Sequence, residues 1–295
     1  MLARSLRRRQ TSTIGLLVSD IENPFFTEVA RAVETTAYER GYNVILCNTD
    51  EDLAKEIMYV DVLFAKQVDG LILAPAPGDH SFLRGYMERG ARVVCVNRYT
   101  PDVPSPAVIC DDEHAMFELA SQLLNQHSYI GAIIGLETVS TTVQRLAGLR
   151  RALELKGQTL NDCWIFPGQA RQEGGYQAAR EISRLTRLPT AVVALNSLML
   201  DGFLLGLLEM APHLFCQLEV TGFGYSNMAR VCHPPRYYVQ QPSHQVGCVA
   251  TNLLLDILTD VVLWNTDHIV LKNSLVQLGA SAVMPSPVTA DRSWR

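Results

Sequence analysis

The chain has 295 residues, 48% hydrophobic and 19% charged, with a formal net charge of -5. This is ordinary globular composition with room for two core-forming units. It excludes a low-complexity chain, and no apolar run approaches the roughly 20 residues that would span a bilayer.

Four arginines (Arg4, Arg7, Arg8 and Arg9) stand among the first ten residues, with no acid. A basic arm feeding directly into an apolar run asks for an anionic partner, and nucleic acid is one reading; a transit peptide or a solvated tail are the others. The apolar run after the arm is too short for a signal peptide, so a soluble, cytoplasmic protein without membrane contact is expected. Residues 13–19 then read as a strand, 24–40 as a helix opened by Pro24 and closed by Gly41, 42–48 as a strand and 53–67 as a helix. A strand at 70–75, a helix at 80–89, a strand at 92–97 and a short strand at 107–110 complete a first round. A second round follows, with helices at 112–126, 142–156, 173–186 and 198–210 alternating with strands at 130–135, 163–166, 191–195 and 219–223. A short extended piece at 238–241 precedes a long helix at 244–260. Strands alternating with helices of this length predict an α/β fold of two doubly wound parallel-sheet lobes. Ligands of such sheets bind beyond the carboxyl ends of the strands, so two facing lobes would hold a small molecule between them.

The pair Asn23-Pro24 forces a turn right after the first strand and leaves Phe25 and Phe26 at a helix start. One of them is expected in the core, the other as an apolar platform for a ring-shaped ligand. The seven cysteines are scattered without a Cys-x-x-Cys pair, and the seven histidines show no ligand spacing, so reduced thiols and no metal or cofactor are expected. Asp111-Asp112-Glu113-His114 opens a predicted helix, where acids favour the positive end of the dipole, and is read as structural. No phosphate loop, complete dinucleotide fingerprint or nucleophile elbow occurs, and no enzymatic activity is expected.

The stretch Leu2-Ala3-Arg4-Ser5-Leu6-Arg7, then Thr13-Ile14-Gly15-Leu16-Leu17-Val18, then Asn23-Pro24-Phe25-Phe26 resembles the hinge and first strand of lactose-repressor-type (LacI/GalR) transcription regulators. Further matches follow in order at Gln67-Val68-Asp69-Gly70-Leu71-Ile72-Leu73, Arg145-Leu146-Ala147-Gly148-Leu149, Pro189-Thr190-Ala191-Val192, Val220-Thr221-Gly222-Phe223, Gln241-Pro242 and Leu275-Val276. The resemblance implies a type I periplasmic-binding-protein fold whose two lobes are joined by three crossovers. Its expected divisions are a hinge and basic arm at 1–12, an N-terminal lobe at 13–111 plus 242–270, and a C-terminal lobe at 112–241 plus 271–295.

It also implies a homodimer and a small-molecule effector, a sugar or related metabolite, held by Phe25, Phe26, Arg145, Asn196 and Gln241. Arg4, Ser5, Leu6 and Arg7 match the hinge that enters the DNA minor groove, Leu6 standing where the family has its wedge between base steps. The family carries a helix-turn-helix domain ahead of this hinge, and this chain starts at the hinge, so operator DNA is expected as partner where that domain precedes it. Ser197 and Gly224 stand where the family usually has Asp. Loss of those carboxylates turns the expectation toward a more acidic or less hydroxylated effector. The function implied is the effector-sensing core of a transcription regulator, a repressor; a solute-binding protein with no DNA role is the alternative. The dimer is expected through outward helix faces of the N-terminal lobe, with residues 60–64 and Leu83 as candidates.

Overall fold

The computed structural model describes residues 11–224 and 226–278. Arg4, Ser5, Leu6 and Arg7 lie outside the described residues. The first lobe begins with β1 (Thr13–Val18), buried from Ile14 onward. A strand apolar on both faces belongs in the middle of a parallel sheet. β1 accordingly lies between β2 (Asn43–Asn48) and β3 (Gly70–Leu73), parallel to both. α1 (Pro24–Glu39) starts as the sequence dictates: the Asn23 side chain accepts from Phe25 N at 3.0 Å and Pro24 occupies the first turn. α2 (Leu53–Ala65) is capped by Asp52, and α3 (Phe82–Glu88), β4 (Val93–Val96) and β5 (Ala107–Cys110) follow.

The chain crosses at Asp111 into the second lobe, with α4 (Asp112–Leu123), β6 (Ile130–Ile134), α5 (Ser140–Leu155), β7 (Ile165–Pro167), α6 (Gln172–Ile182) and β8 (Ala191–Ala194). α7 (Ser197–Met210), α8 (Pro212–Gln217), β9 (Glu219–Gly222), α9 (Asn227–Cys232) and β10 (Tyr237–Gln240) complete that passage. It returns through Gln241 and Pro242 to α10 (Ser243–Leu258) and β11 (His268–Leu271), then crosses a third time to β12 (Ser274–Gln277). The first sheet has the order β11-β5-β4-β3-β1-β2, all parallel. The second has β7-β6-β8-β9, also parallel, and the antiparallel pair β10-β12 attaches to its edge by a bridge from Phe223 to Val239.

Side-chain alternation along β1 divides the first core. Ile14, Leu16 and Val18 face α1 and α10, and Leu17 faces α2 and α3 with Val60, Leu63 and Leu83. Val60, Leu63 and Leu83 were candidates for the dimer surface; all three are buried core, because the inward stripe of α2 and α3 already covers the sheet. Met58 and Val62, four residues apart on α2, are the exposed large apolar residues there. In the second lobe α6 and α7 cross so closely that a Cβ on Gly202 would lie 1.8 Å from the Gln172 carbonyl oxygen.

Several predicted elements shift. α3 starts at Phe82 rather than at residue 80, because His80 turns inward, 2% exposed and 3.1 Å from the Glu56 carboxylate. Residues 162–164 form a turn of 3-10 helix capped by Asn161, so β7 starts two residues later than predicted. α8, α9, β11 and β12 were not drawn from the sequence. They are short, and β11 is a sheet edge with largely exposed side chains. Among the described residues no helix is long and apolar enough to cross a membrane, and no group of three His, Cys, Asp or Glu could hold a metal ion. All seven cysteines are free thiols; Cys95 and Cys110 are buried, and burial pushes the Cys95 thiol up to about 11.

Candidate functional site

Strand order reverses at β1/β3 in the first sheet and at β6/β8 in the second. Such switch points open crevices beyond the carboxyl ends of the strands. Here the two crevices face each other and form one cavity between the lobes. Phe25 and Phe26 reach it from the start of α1, Arg145 from α5, Asn196 from the end of β8 and Gln241 from the second crossing. The two phenylalanine rings meet edge to face at 5.1 Å, and both also pack into the first core. One pair thus closes the core and walls the cavity.

Arg145 is 6% exposed. Its Nε and Nη2 meet Asp112 Oδ2 at 2.8 and 2.7 Å, Nη1 donates to the Leu195 carbonyl, and the guanidinium lies 4.2 Å from the Phe223 ring centroid. Asp112 is itself fully buried, and burial raises its carboxyl above the usual range against the pull of Arg145. Its other oxygen accepts from Asn273 Nδ2 at 3.0 Å, and Asn273 N donates to Asp111 Oδ1 at 2.7 Å. The arginine at the cavity is therefore bound to the first and third crossings at once. Asn196 lines the cavity, but its amide is committed: Oδ1 caps α7 through Met199 N at 2.8 Å and Nδ2 donates to the Ala170 carbonyl at 3.0 Å. Gln241 is buried, and its Nε2 has no hydrogen-bond partner.

Among the lining residues that the sequence did not point to are Asp20, Glu51, Asn97 and Arg98. Each follows the carboxyl end of a strand of the first sheet, which is the one signal that could have found them. Arg98, 7% exposed, forms a two-pronged pair with Glu51 (Nη1 to Oε2 at 2.6 Å, Nη2 to Oε1 at 2.7 Å). Its Nη1 also reaches the Pro75 carbonyl at 3.0 Å. Asp20 is half-buried, and desolvation, with the like charges of Glu22 and Glu51, holds its carboxyl above the usual range.

Two loops face each other across the cavity mouth. Asp50 and Glu51 lie at φ 55° and 60°, and Gln169 and Ala170 at 52° and 59°. Consecutive non-glycine residues in the left-handed region are costly and persist only where surroundings hold them, a condition common at ligand clamps. The holding contacts are visible: Arg98 on Glu51, Asn196 on Ala170, and Arg171 Nη2 donating to the Asp50 carbonyl at 2.8 Å from one lobe to the other.

A family model described as periplasmic binding proteins and sugar binding domain of LacI family matches residues 11–264. The chain belongs to the LacI family. It is 30% identical over 261 residues to the HTH-type transcriptional repressor PurR of Photobacterium profundum, covering 88% of this chain and 78% of that one. The HTH-type transcriptional repressor CytR of Escherichia coli is 30% identical over 258 residues, covering 86% and 75%. A LacI family transcriptional regulator from Enterococcus faecium, solved with bound ribose, superposes with a TM-score of 0.78 at 26% identity, covering 90% of this chain and 97% of that one. This LacI-family chain is the effector-sensing core of a transcription regulator, and its α/β lobes have the periplasmic-binding-protein fold.

The bond from Arg171 to Asp50 gives the closed mouth of this LacI-family core a direct test. Arg171→Ala is expected to speed amide exchange at 49–52 and 168–172 and to leave β1 and β8 protected. Unchanged exchange in both loops would show that Arg171 does not hold them together.

Proposed function

We propose that the cavity binds a small polar metabolite, a sugar or a related compound, through Phe25, Phe26, Arg145, Asn196 and Gln241, and that its occupancy sets DNA affinity. The observation that carries this reading is the convergence of residues from both lobes and from the second crossing on one cavity, with Arg145 joined through Asp112 and Asn273 to the other two crossings. A ligand held there touches both lobes and biases their closure by whatever it gains from the closed arrangement. Asn196 acts by shaping the wall, since its amide serves α7 and Ala170. The bound ribose of the Enterococcus faecium regulator supports a sugar-like occupant. The relatives named above are transcriptional repressors, which supports a cytoplasmic repressor without catalytic activity.

Differential scanning fluorimetry against pentoses, hexoses and nucleosides is expected to find a stabilising compound. Arg145→Lys keeps a charge for Asp112 but cannot hold Asp112 and the Leu195 carbonyl together, and by loosening the cavity wall is expected to weaken that compound about tenfold or more, as is Gln241→Leu. Unchanged affinity in both variants would refute the assignment.

The regulator acts as a homodimer in this reading, with Met58 and Val62 on the outward face of α2 in the contact. Sedimentation at micromolar concentration is expected to show a dimer that Val62→Glu weakens; a wild-type monomer contradicts it. Arg4, Ser5, Leu6 and Arg7 contact operator DNA. For a polypeptide of these 295 residues, gel shifts are expected to show weak binding that falls steeply with salt. Salt-insensitive, sequence-specific binding would contradict that role.

A further inference from the structure

The charges of the cavity wall carry a statement about what it accepts, resting on the reading of this cavity as an effector site. Its two arginines are both engaged. Arg145 has Nε and Nη2 on Asp112 and Nη1 on a carbonyl, and Arg98 has both terminal nitrogens on Glu51. The planar fork that would grip a phosphate or carboxylate is therefore filled, in each case, by a carboxylate of the protein. Asp20 remains, accepting from Glu22 N at 2.9 Å and forming no ion pair among the described residues. An anion entering the cavity would meet this carboxylate and, among the lining residues, no free cation.

The unmet hydrogen-bonding atoms have a different character. Arg98 Nε and Gln241 Nε2 are buried donors without acceptors, and Asn97 Oδ1 is a buried acceptor without a donor. Asp20 adds a further acceptor. Buried polar atoms ask for partners, and hydroxyls both donate and accept, so a compound bearing several of them can answer both kinds at once. Phe25 and Phe26 supply the apolar wall for its ring.

We propose that this cavity takes an uncharged, multiply hydroxylated effector and rejects phosphorylated and carboxylated metabolites, and that Glu51 sets this specificity by filling the Arg98 fork. The two carboxylates missing at Ser197 and Gly224 do not make the site acidic-ligand-selective, because Asp20 and Glu51 enter the same cavity from the first lobe. The backbone fixes Glu51 in this position: it sits at φ 60°, and its N–H donates to the Ser19 carbonyl at 3.1 Å, next to Asp20.

The test uses inorganic phosphate as probe, with thermal shift and calorimetry on the wild type, Glu51→Gln and Asp20→Asn. Wild type is expected to show no phosphate-dependent stabilisation at millimolar concentration. Glu51→Gln frees the Arg98 fork and is expected to bind phosphate about tenfold or more tightly than wild type. Asp20→Asn, nearly isosteric at a half-buried position, is expected to bind it several-fold more tightly and serves if Glu51→Gln does not fold. A D-ribose and D-ribose 5-phosphate pair then reads the same preference on a sugar frame. Phosphate binding by wild type that Arg98→Met abolishes would overturn the proposal, as would the absence of any gain in the folded variants. Neither result touches the effector reading itself, which stands or falls on whether Arg145→Lys and Gln241→Leu weaken metabolite binding.

Discussion

A guanidinium taken out of water must be met by a carboxylate, or the fold bears an uncompensated buried charge. Among the described residues two are buried, Arg145 and Arg98, on opposite walls of one cavity. Each arginine then dictates a second residue: Asp112 at the first crossing and Glu51 beyond β2. Asp112 brings in Asn273 and thereby the third crossing, and Glu51 needs a left-handed backbone to reach its partner. Two separate sets of charge-assisted bonds result, one tying the cavity to the first and third crossings through Arg145, Asp112 and Asn273, the other holding the strained loop at the mouth through Arg98 and Glu51.

In the reading of the cavity as an effector site, these bonds give occupancy a route to the rest of the fold. Arg145 and Gln241 line the cavity, Arg145 bonded to Asp112 at the first crossing and Gln241 standing in the second. The mouth is spanned by Arg171 reaching the Asp50 carbonyl. If occupancy sets DNA affinity as proposed, DNA must shift ligand affinity by the same factor in return.

Much of this was legible in the sequence, for identifiable reasons. β1 reads as a central strand because it is apolar on both faces, and Asn23-Pro24 fixes the start of α1 and with it Phe25 and Phe26 at the cavity. Arg145 stood out in Arg145-Leu146-Ala147-Gly148. The pair of Arg98 and Glu51 left no such trace, since the partners are 47 residues apart and meet only when β2 and β4 are placed in one sheet. Nor does sequence say how a cavity residue spends its hydrogen bonds: Asn196 was placed at the site, but capping α7 uses its amide. Helix α2 misled in the opposite way. Its apolar run at 60–64 looked available for a dimer, yet Val60 and Leu63 point inward, and of its aliphatic residues Val62 is the exposed one.

The Arg145–Asp112 pair is the unit that ties the cavity to the crossings. A double-mutant cycle in urea tests it most directly. Arg145→Met and Asp112→Leu singly should each cost about 3–5 kcal/mol, because each leaves a buried charge alone. The double variant removes both charges and should cost far less than the sum. Additive losses would contradict the account and leave Arg145 and Asp112 as neighbours without a shared role.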